Sequence, residues 1–498
     1  MKFLESTNYA LIKLFIIIVL TILFAPLFFS KLSLIDDHEI ISFLNAYKSY
    51  GIQGVTNQFF SLGDFNELTR FRPIYYLIRL IEIFSWKDNA FLWTFFRFLI
   101  AIFFSLYILE IARKTYKKYI SLALSLLFFC LPMVPDIFFR FGPSEIYAIV
   151  FFILLIGSII QNQGSENSLL KASFYITLLI GIKENFIILF PLQLYALLKA
   201  IKNKNISHSL FLLFLSSVSF ICIYIIFRKL LLNAGVDVYN STVGFSRIDL
   251  IMDSFFSKLG FIFLVLSFSI VYYLFTSWSE KKTQAFKIDN YFLIAIFSSL
   301  ILFNIYFYSG IPSPRSRYSF PIWPLMIFIF VILSKQYLSY RTYKGKWVPN
   351  SSVLCWTICL ILTLGFLKNL NQGFKSYKSS NQTFGSIKKA IDLSKQYKTV
   401  VIHAQGANHY EQSYSLVKFL NFYADTKMVY LILDNDNINK DISNNALLNQ
   451  MQKISSNGGW GYLALNNSTL AQSECLNIYF ELQNTPSPCH NDVKIIIK

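Results

Sequence analysis

Residues 9–29 read YALIKLFIIIVLTILFAPLFF, and residues 34–39, a few positions further on, read LIDDHE. A helix needs about 20 apolar residues, at 1.5 Å each, to cross a bilayer. The first stretch supplies them with Lys13 as its one charged residue. It is too long for the apolar core of a cleaved signal, and no small-residue cleavage site follows it. It therefore reads as a retained signal anchor. Where that helix leaves the bilayer stand Asp36, Asp37, His38 and Glu39. Carboxylates at a membrane helix end mark a pathway or a site, although an ordinary solvated helix end carries charge as well.

Outward from there, apolar runs recur from residue 10 to residue 367. The chain is 55% hydrophobic, 18% aromatic and 14% charged, whereas a soluble protein carries about a quarter charged residues. The expected fold is an α-helical polytopic membrane protein with about eleven transmembrane helices. They fall near 9–29, 89–112, 119–135, 144–161, 169–182, 186–200, 208–232, 258–277, 289–309, 319–335 and 352–367. The net charge of +18 does not point to nucleic acid, because the lysines gather in short loops between apolar runs. Membrane insertion retains such loops on the cytoplasmic side, and anionic lipid head groups favour them.

Those basic loops orient the chain. Lys2 and Lys13 flank the first helix, and Arg113, Lys114, Lys117 and Lys118 follow the second. Lys199, Lys202 and Lys204, then Lys281, Lys282 and Lys287, then Lys335, Arg341, Lys344 and Lys346 follow later ones. All fall on one side, which places the N-terminus in the cytoplasm. Segments 30–88, 136–143, Lys183–Glu184, 233–257, Gly310–Ser319 and everything after Leu367 are then outside. In the first outer loop, 30–88, the patterns Ile40–Tyr50 and Pro73–Trp86 predict helices lying in the interface plane. Gly51–Thr69 between them is polar and rich in turn residues.

Beyond Leu367 the pattern changes. Residues 371–498 read as a small soluble α/β domain outside the membrane, with residues 1–367 forming the transmembrane domain. Strands are predicted at Thr399–Ala404, Met428–Asp434, Gly461–Leu465, Leu476–Leu482 and Val493–Ile497, and helices at Gln382–Lys395, Glu411–Tyr423 and Asp441–Ile454. That alternation favours a mostly parallel sheet. Cys130, Cys222, Cys355 and Cys359 fall in apolar runs and read as core residues. Cys475 and Cys489 would pair if the tail lies in an oxidising compartment.

The polar groups on the outer side are the candidates for chemistry. Asp36 or Asp37 suits a general base for an acceptor hydroxyl. The second carboxylate would orient the first, bind the acceptor or hold a divalent metal, and no other cofactor is called for. His38 reads as a polar interfacial residue. Arg70, Arg72 and Arg79 match phosphate oxygens with bidentate forks, as they also match lipid head groups. Pro73 after Arg72 presets a helix start. Gly181-Ile182-Lys183-Glu184-Asn185 breaks an apolar stretch, so Lys183 and Glu184 either pair with each other or reach into a polar cavity. Gly310-Ile311-Pro312-Ser313-Pro314-Arg315-Ser316-Arg317-Tyr318 carries two arginines against the charge bias of an outer loop. Arg140 and Glu145 are weaker members of the set.

In order and sidedness these motifs resemble the C-type integral membrane glycosyltransferases (GT-C), over about residues 1–367. The shared elements are the Asp36-Asp37 pair after the first helix, the long first outer loop, Arg70-x-Arg72-Pro73, Gly181-x-Lys183-Glu184, and Arg315-Ser316-Arg317-Tyr318. The resemblance implies a polyprenyl-phosphate-linked sugar as donor and a hydroxyl on a glycan, lipid or protein as acceptor. It also implies Asp36 or Asp37 as base, Lys183 and Arg315 or Arg317 at the donor phosphate, and inversion at the sugar carbon. Such an enzyme sits in a membrane such as the bacterial inner membrane. Two other readings stay open: a polysaccharide polymerase or ligase acting on polyprenyl pyrophosphates, and a transporter. The second calls for internal repeats and paired broken helices, and the sequence has no repeat.

Overall fold

A first helix that is apolar all round offers one side to protein and the other to lipid. α1 (Lys2–Phe24) does so, burying Ile12, Ile16, Leu20 and Leu23 while leaving Leu11, Leu14, Phe15, Ile18 and Ile22 exposed. It tightens into a 3-10 turn over Ala25–Phe29, which begins with Pro26 next to its start. The computed structural model describes residues 2–34, 37–61, 72–114, 118–161, 165–232, 247–257, 260–265, 267–268, 288–308, 310–326, 351–397, 399–404, 410–424, 428–433, 462–463, 474–480 and 491–496.

The helical part continues with α2 (His38–Ser61), α3 (Pro73–Trp86), α4 (Ala90–Ala112), α5 (Lys118–Leu127), α6 (Val134–Phe138) and α7 (Glu145–Gln161). It is completed by α8 (Glu166–Ile182), α9 (Phe190–Lys202), α10 (Ile206–Leu232), α11 (Arg247–Phe256), α12 (Ile288–Phe307) and α13 (Ser351–Ser394). α4 starts at the cap residue Asn89, whose side chain accepts from the Phe91 and Leu92 amides. It runs back along α1: Thr94 donates to the Leu27 carbonyl at one end, and Lys13 pairs with Glu110 at the other. Among the described residues, four stretches are long and apolar enough to cross a bilayer: Tyr9–Phe29, Ala90–Ala112, Glu184–Lys202 and Ile206–Phe227. Shorter apolar helices cover Lys118–Cys130, Glu145–Ile159 and Ala295–Phe307. The expected spans at 258–277 and 319–335 lie largely outside the described residues.

Four departures from the expected boundaries matter most. The 119–135 segment is not one helix. α5 stops at Leu127, a 3-10 turn covers Phe128–Cys130, and Leu131 is extended at φ −73° and ψ 142°. Pro132 disfavours the helical region for the residue before it. The 186–200 segment opens with a 3-10 turn, Glu184–Leu189, and becomes α-helical only at Phe190, with Pro191 in its first turn. Residues 52–61 are helical rather than turn-rich, because α2 passes through a kink at Gly51 (φ 59°, ψ −145°) and resumes.

The last difference is the largest. The chain does not leave the helix at Leu367: α13 is one helix of 44 residues, about 66 Å long at 1.5 Å per residue. Residues 368–381 are polar but contain no proline, and polarity alone does not end a helix. Asn369 on α13 donates to the Phe129 and Leu131 carbonyls, both at 2.9 Å, satisfying backbone groups that the break after α5 leaves without helical partners.

Five strands follow: β1 (Thr399–Ala404), β2 (Met428–Leu433), β3 (Tyr462–Leu463), β4 (Glu474–Tyr479) and β5 (Asn491–Ile496), with α14 (Tyr410–Ala424) between β1 and β2. The sheet order is β3-β2-β1-β4-β5, with every pairing parallel. The third expected helix, Asp441–Ile454, and Cys489 lie outside the described residues. The buried apolar residues of this unit, among them Leu416, Phe419, Leu420 and Ile478, belong to one core that is continuous with that of the helical part.

Candidate active site

Two arginines that no water can reach set the frame. Arg79, 0% exposed, lies on the inward face of α3 together with Tyr75, Tyr76, Glu82 and Ile83. A buried guanidinium needs charge partners and acceptors. Its Nε lies 3.3 Å from Glu39 Oε2 and its Nη1 3.3 Å from Glu82 Oε2. Its Nη2 donates to the carbonyls of Phe141 (2.5 Å) and Gly142 (2.9 Å) and to the Tyr75 hydroxyl (3.2 Å). Arg97 from α4 donates to the carbonyls of Arg140 (3.0 Å) and Phe141 (2.6 Å). The Trp93 ring lies under both guanidinium groups. Tyr75 donates to Glu39 Oε2 at 2.5 Å, and Tyr147 donates to Glu82. The segment between α6 and α7 is thus gripped by its carbonyls. Arg79, expected beside Arg70 and Arg72 as a phosphate contact, is committed to this internal work.

Held against that frame is a second cluster, drawn from four separate stretches. Arg72, the cap residue of α3, forms a two-pronged pair with Glu184, with its Nε and Nη2 at 2.9–3.1 Å from the carboxylate. Burial works to lower the Arg72 pKa, but the charge and hydrogen bonds of Glu184, with Glu145 and Tyr76 behind them, hold it above the usual guanidinium value. Lys183 pairs instead with Glu145, Nζ to Oε1 at 2.6 Å, and is 1% exposed. Neighbouring residues part company here because Lys183 is extended (φ −153°, ψ 134°), which sends successive side chains to opposite sides. The expected Lys183–Glu184 pairing therefore gives way to two cross-segment pairs.

The loop before residue 320 closes the cluster. The Arg317 amide donates to Asp136 Oδ2 at 2.7 Å, and Asp136 Oδ1 accepts from Arg140 Nη1 at 2.8 Å. The Arg317 guanidinium lies over the Tyr318 ring and donates to its hydroxyl at 3.3 Å. Tyr318 and Tyr308 are 4.9 Å apart, and Lys183 Nζ sits 5.7 and 5.5 Å from their centres. Asn185 donates to Asn304 Oδ1 (2.5 Å) and to the Tyr308 hydroxyl (3.2 Å). Glu145 interacts electrostatically with Lys183, Arg317 and Arg72 together.

Of the residues expected from sequence, Arg72, Arg140, Lys183, Glu184, Arg317 and Tyr318 meet in this one network, and Glu145 with them. Arg315 is exposed in the same loop, its amide donating to Ser313 Oγ at 3.4 Å. Asp37 is 3% exposed and its Oδ2 accepts from the Ser33 amide at 2.7 Å. Its backbone carbonyl takes the Ile40 and Ile41 amides at the start of α2, and its carboxylate interacts with Arg97. Asp36, Arg70 and the His38 side chain lie outside the described residues. Among the described residues, no three His, Cys, Asp or Glu side chains gather in a metal-holding group. Arg97, Asp136 and Tyr308 were not anticipated. A lone arginine inside an apolar helix is a signal for Arg97, and an acid one helical turn before Arg140 is a signal for Asp136.

No protein-family model matches the chain, and no curated protein sequence does. Among solved structures it is similar to the crystal structure of ArnT from Cupriavidus metallidurans bound to undecaprenyl phosphate. The identity is 14%, the match covers 91% of this chain and 92% of that one, and the TM-score is 0.41. At that overlap the functional reading rests on this chain's own residues.

Proposed function

We propose that the chain is a membrane glycosyltransferase of the GT-C type. It moves a sugar from a polyprenyl-phosphate carrier to a hydroxyl acceptor on the outer side of a membrane such as the bacterial inner membrane. The observation that carries this reading is the convergence of Arg72, Lys183 and Arg317 from three distant segments: Arg72 pairs with Glu184, Lys183 beside it pairs with Glu145, and Lys183 and Arg317 both lie over the Tyr318 ring. Among the described residues, three ion pairs cross or flank this site, Arg72–Glu184, Arg140–Asp136 and Lys183–Glu145, and the Arg317 guanidinium lies beside them over the Tyr318 ring. Arginine and lysine gathered in this way suit an anionic substrate group, and a phosphate leaving group is an anion whose charge grows during transfer. Preorganised cations at that position stabilise the growing charge.

The donor needs no nucleotide, since its sugar arrives on the lipid phosphate. Asp37 or its neighbour Asp36 takes the proton of the acceptor hydroxyl. That oxygen attacks the sugar carbon from the face opposite the phosphate, the bond to phosphate breaks, and a single displacement inverts the centre. Tyr308 and Tyr318 flank Lys183 and offer aromatic edges to a sugar or its phosphate. In this reading the N-terminus is cytoplasmic, and the unit containing the sheet lies outside with the site.

The test is to incubate purified protein with a panel of radiolabelled polyprenyl-phosphate sugars and a membrane extract as acceptor source. At least one carrier is expected to lose its label, and Lys183→Ala and Arg317→Ala to suppress that loss. Label retained on every carrier by the wild-type protein overturns the reading. Full transfer by both Asp36→Asn and Asp37→Asn overturns the base assignment alone.

A further inference from the structure

One helix of the sheet-containing unit touches both elements that present the proposed chemistry. α14 packs along α2, the helix that starts at His38 directly after Asp37. Lys48, three turns into α2, donates from Nζ to the Phe422 carbonyl at 3.2 Å and lies 5.6 Å from the centre of the Phe422 ring. The next residue, Tyr423, donates its hydroxyl to Asp88 Oδ2 at 2.7 Å. Asp88 stands in the turn between α3 and α4, at the far end of the helix whose first cap is Arg72.

The contact is supported from behind. Phe419, 0% exposed, stacks on Tyr423 with centres 6.2 Å apart, and Phe422 meets Tyr423 edge-on at 4.7 Å. The apolar core runs without interruption from Ile40, Ile41, Phe43 and Leu44 of α2 to Leu416, Val417, Phe419 and Leu420 of α14. α13 enters this unit as a continuous helix, fixed to the helical part by Asn369 and by Asn381, which donates to the Phe29 carbonyl at 3.3 Å. A domain hung on a flexible tether makes none of these connections.

We propose that α14 is a brace for the site, and that Tyr423, Asp88 and Lys48 are positioning residues for sugar transfer. The first two fix the α3–α4 turn, and Lys48 fixes α2, so that Asp37 and Arg72 keep their separation. The proposal rests on the assignment of Asp37 as the base. None of the three residues touches substrate. An orienting residue far from the reacting atoms acts on turnover rather than on donor binding, because small misplacements of a catalytic group are costly.

The experiment compares the full-length wild-type protein with Tyr423→Phe, Asp88→Leu, Asp88→Asn and the double variant Tyr423→Phe/Lys48→Met. The assay is label release from the carrier that the wild-type protein consumes. Tyr423→Phe and Asp88→Leu are expected to lower kcat about tenfold with KM for the donor within about twofold. Asp88→Asn, which keeps an acceptor for the Tyr423 hydroxyl, is expected to stay near wild type. The double variant is expected to fall further. Spin labels at Tyr50 on α2 and Lys418 on α14 give a second readout, a distance distribution expected to broaden in the double variant. An active wild type with unchanged kcat in Tyr423→Phe, Asp88→Leu and the double variant overturns the brace. So does a drop in which Asp88→Asn falls as far as Asp88→Leu, or a distance distribution that does not move. A wild type that consumes no carrier overturns the glycosyltransferase reading itself, and that outcome is separate from the other three.

Discussion

Gly181 is the position where a single added methyl group does the cluster most harm. It lies in the last turn of α8, and a Cβ placed there collides with Ile74 Cγ1, 3.1 Å from Ile74 Cβ and 3.5 Å from its backbone nitrogen. Ile74 follows Pro73 in the first turn of α3. Its χ1 is stiff because it is β-branched, and the colliding atom is not the free tip of the chain. Gly181→Ala therefore has to push the start of α3 away from α8. Forcing a methyl into a packed contact costs about 1–3 kcal/mol. At about 2 °C per kcal/mol for a large chain, the melting temperature in detergent is expected to fall by about 2–6 °C. The functional loss is larger. Arg72 caps that same turn and reaches Glu184 across 2.9–3.1 Å, so a retreat of about 0.5 Å carries the fork past hydrogen-bond range. Displacement on that scale lowers turnover about tenfold to a hundredfold. The measurements are fluorescence-detected melting and label release from the lipid carrier. Ile74→Ala removes the colliding atom, so adding Gly181→Ala to it should cost almost nothing further. Wild-type melting and turnover in Gly181→Ala, or losses that simply add in the double variant, would refute the reasoning.

Arg72→Lys keeps the charge but loses the fork, and turnover is expected to drop about tenfold. Arg72→Met removes the fork from a buried carboxylate and is expected to cost more stability than Arg72→Lys; melting of the two variants side by side checks the order. Burial pushes the Glu82 carboxyl above its ordinary 4.5, against the pull of Arg79, Arg97 and Tyr147. A raised folded-state value means that the folded chain holds this proton more tightly than the unfolded one. That contribution is complete below the unfolded value and disappears as pH rises through the folded one. Glu82→Gln, neutral throughout, is therefore expected to lose less melting temperature than wild type as pH is raised above 4.5, and identical pH slopes would count against it. Reporter fusions after Lys114 and after Ser313 should read out opposite sides of the membrane; a common side removes the topology on which the outer site depends.

Much of the cluster was legible because its signals are local. Pro73 presets a helix start, and α3 begins there. Gly181-x-Lys183-Glu184 marks a break in an apolar run, and the chain leaves the α-helix at Lys183. The partners were not legible, since they depend on which segments meet. Nothing local joins Lys183 to Glu145, 38 residues away, rather than to Glu184 beside it. Arg72 and Arg79 are the same residue type seven positions apart, yet one faces the cluster and the other the interior. The positions 75, 76, 79, 82 and 83 trace one helical face, and reading that stripe would have turned Arg79 inward. The end of α13 was misplaced because falling hydropathy marks where a helix leaves lipid. Helices stop at caps, glycines and prolines, and 368–381 has no proline and a single glycine, Gly373.

The grip of Arg79 and Arg97 on one peptide segment explains how so polar a cluster is held at the edge of an apolar bundle. Residues 140–143 between α6 and α7 are irregular, and buried irregular backbone needs protein groups to satisfy its carbonyls. Two guanidinium groups do so, one from α3 and one from α4, both donating to the Phe141 carbonyl. Asp136 lies just before the gripped carbonyls, Arg140 carries the first of them and Glu145 follows three residues beyond the last, so the site inherits its position from that clamp. The two arginines stand close together, and their repulsion is offset by Glu39, Glu82 and the aligned carbonyls. Replacing either by lysine keeps the charge but forfeits the multiple donors. The first consequence to follow is a wandering Glu145, and with it the loss of the carboxylate that holds Lys183 in place.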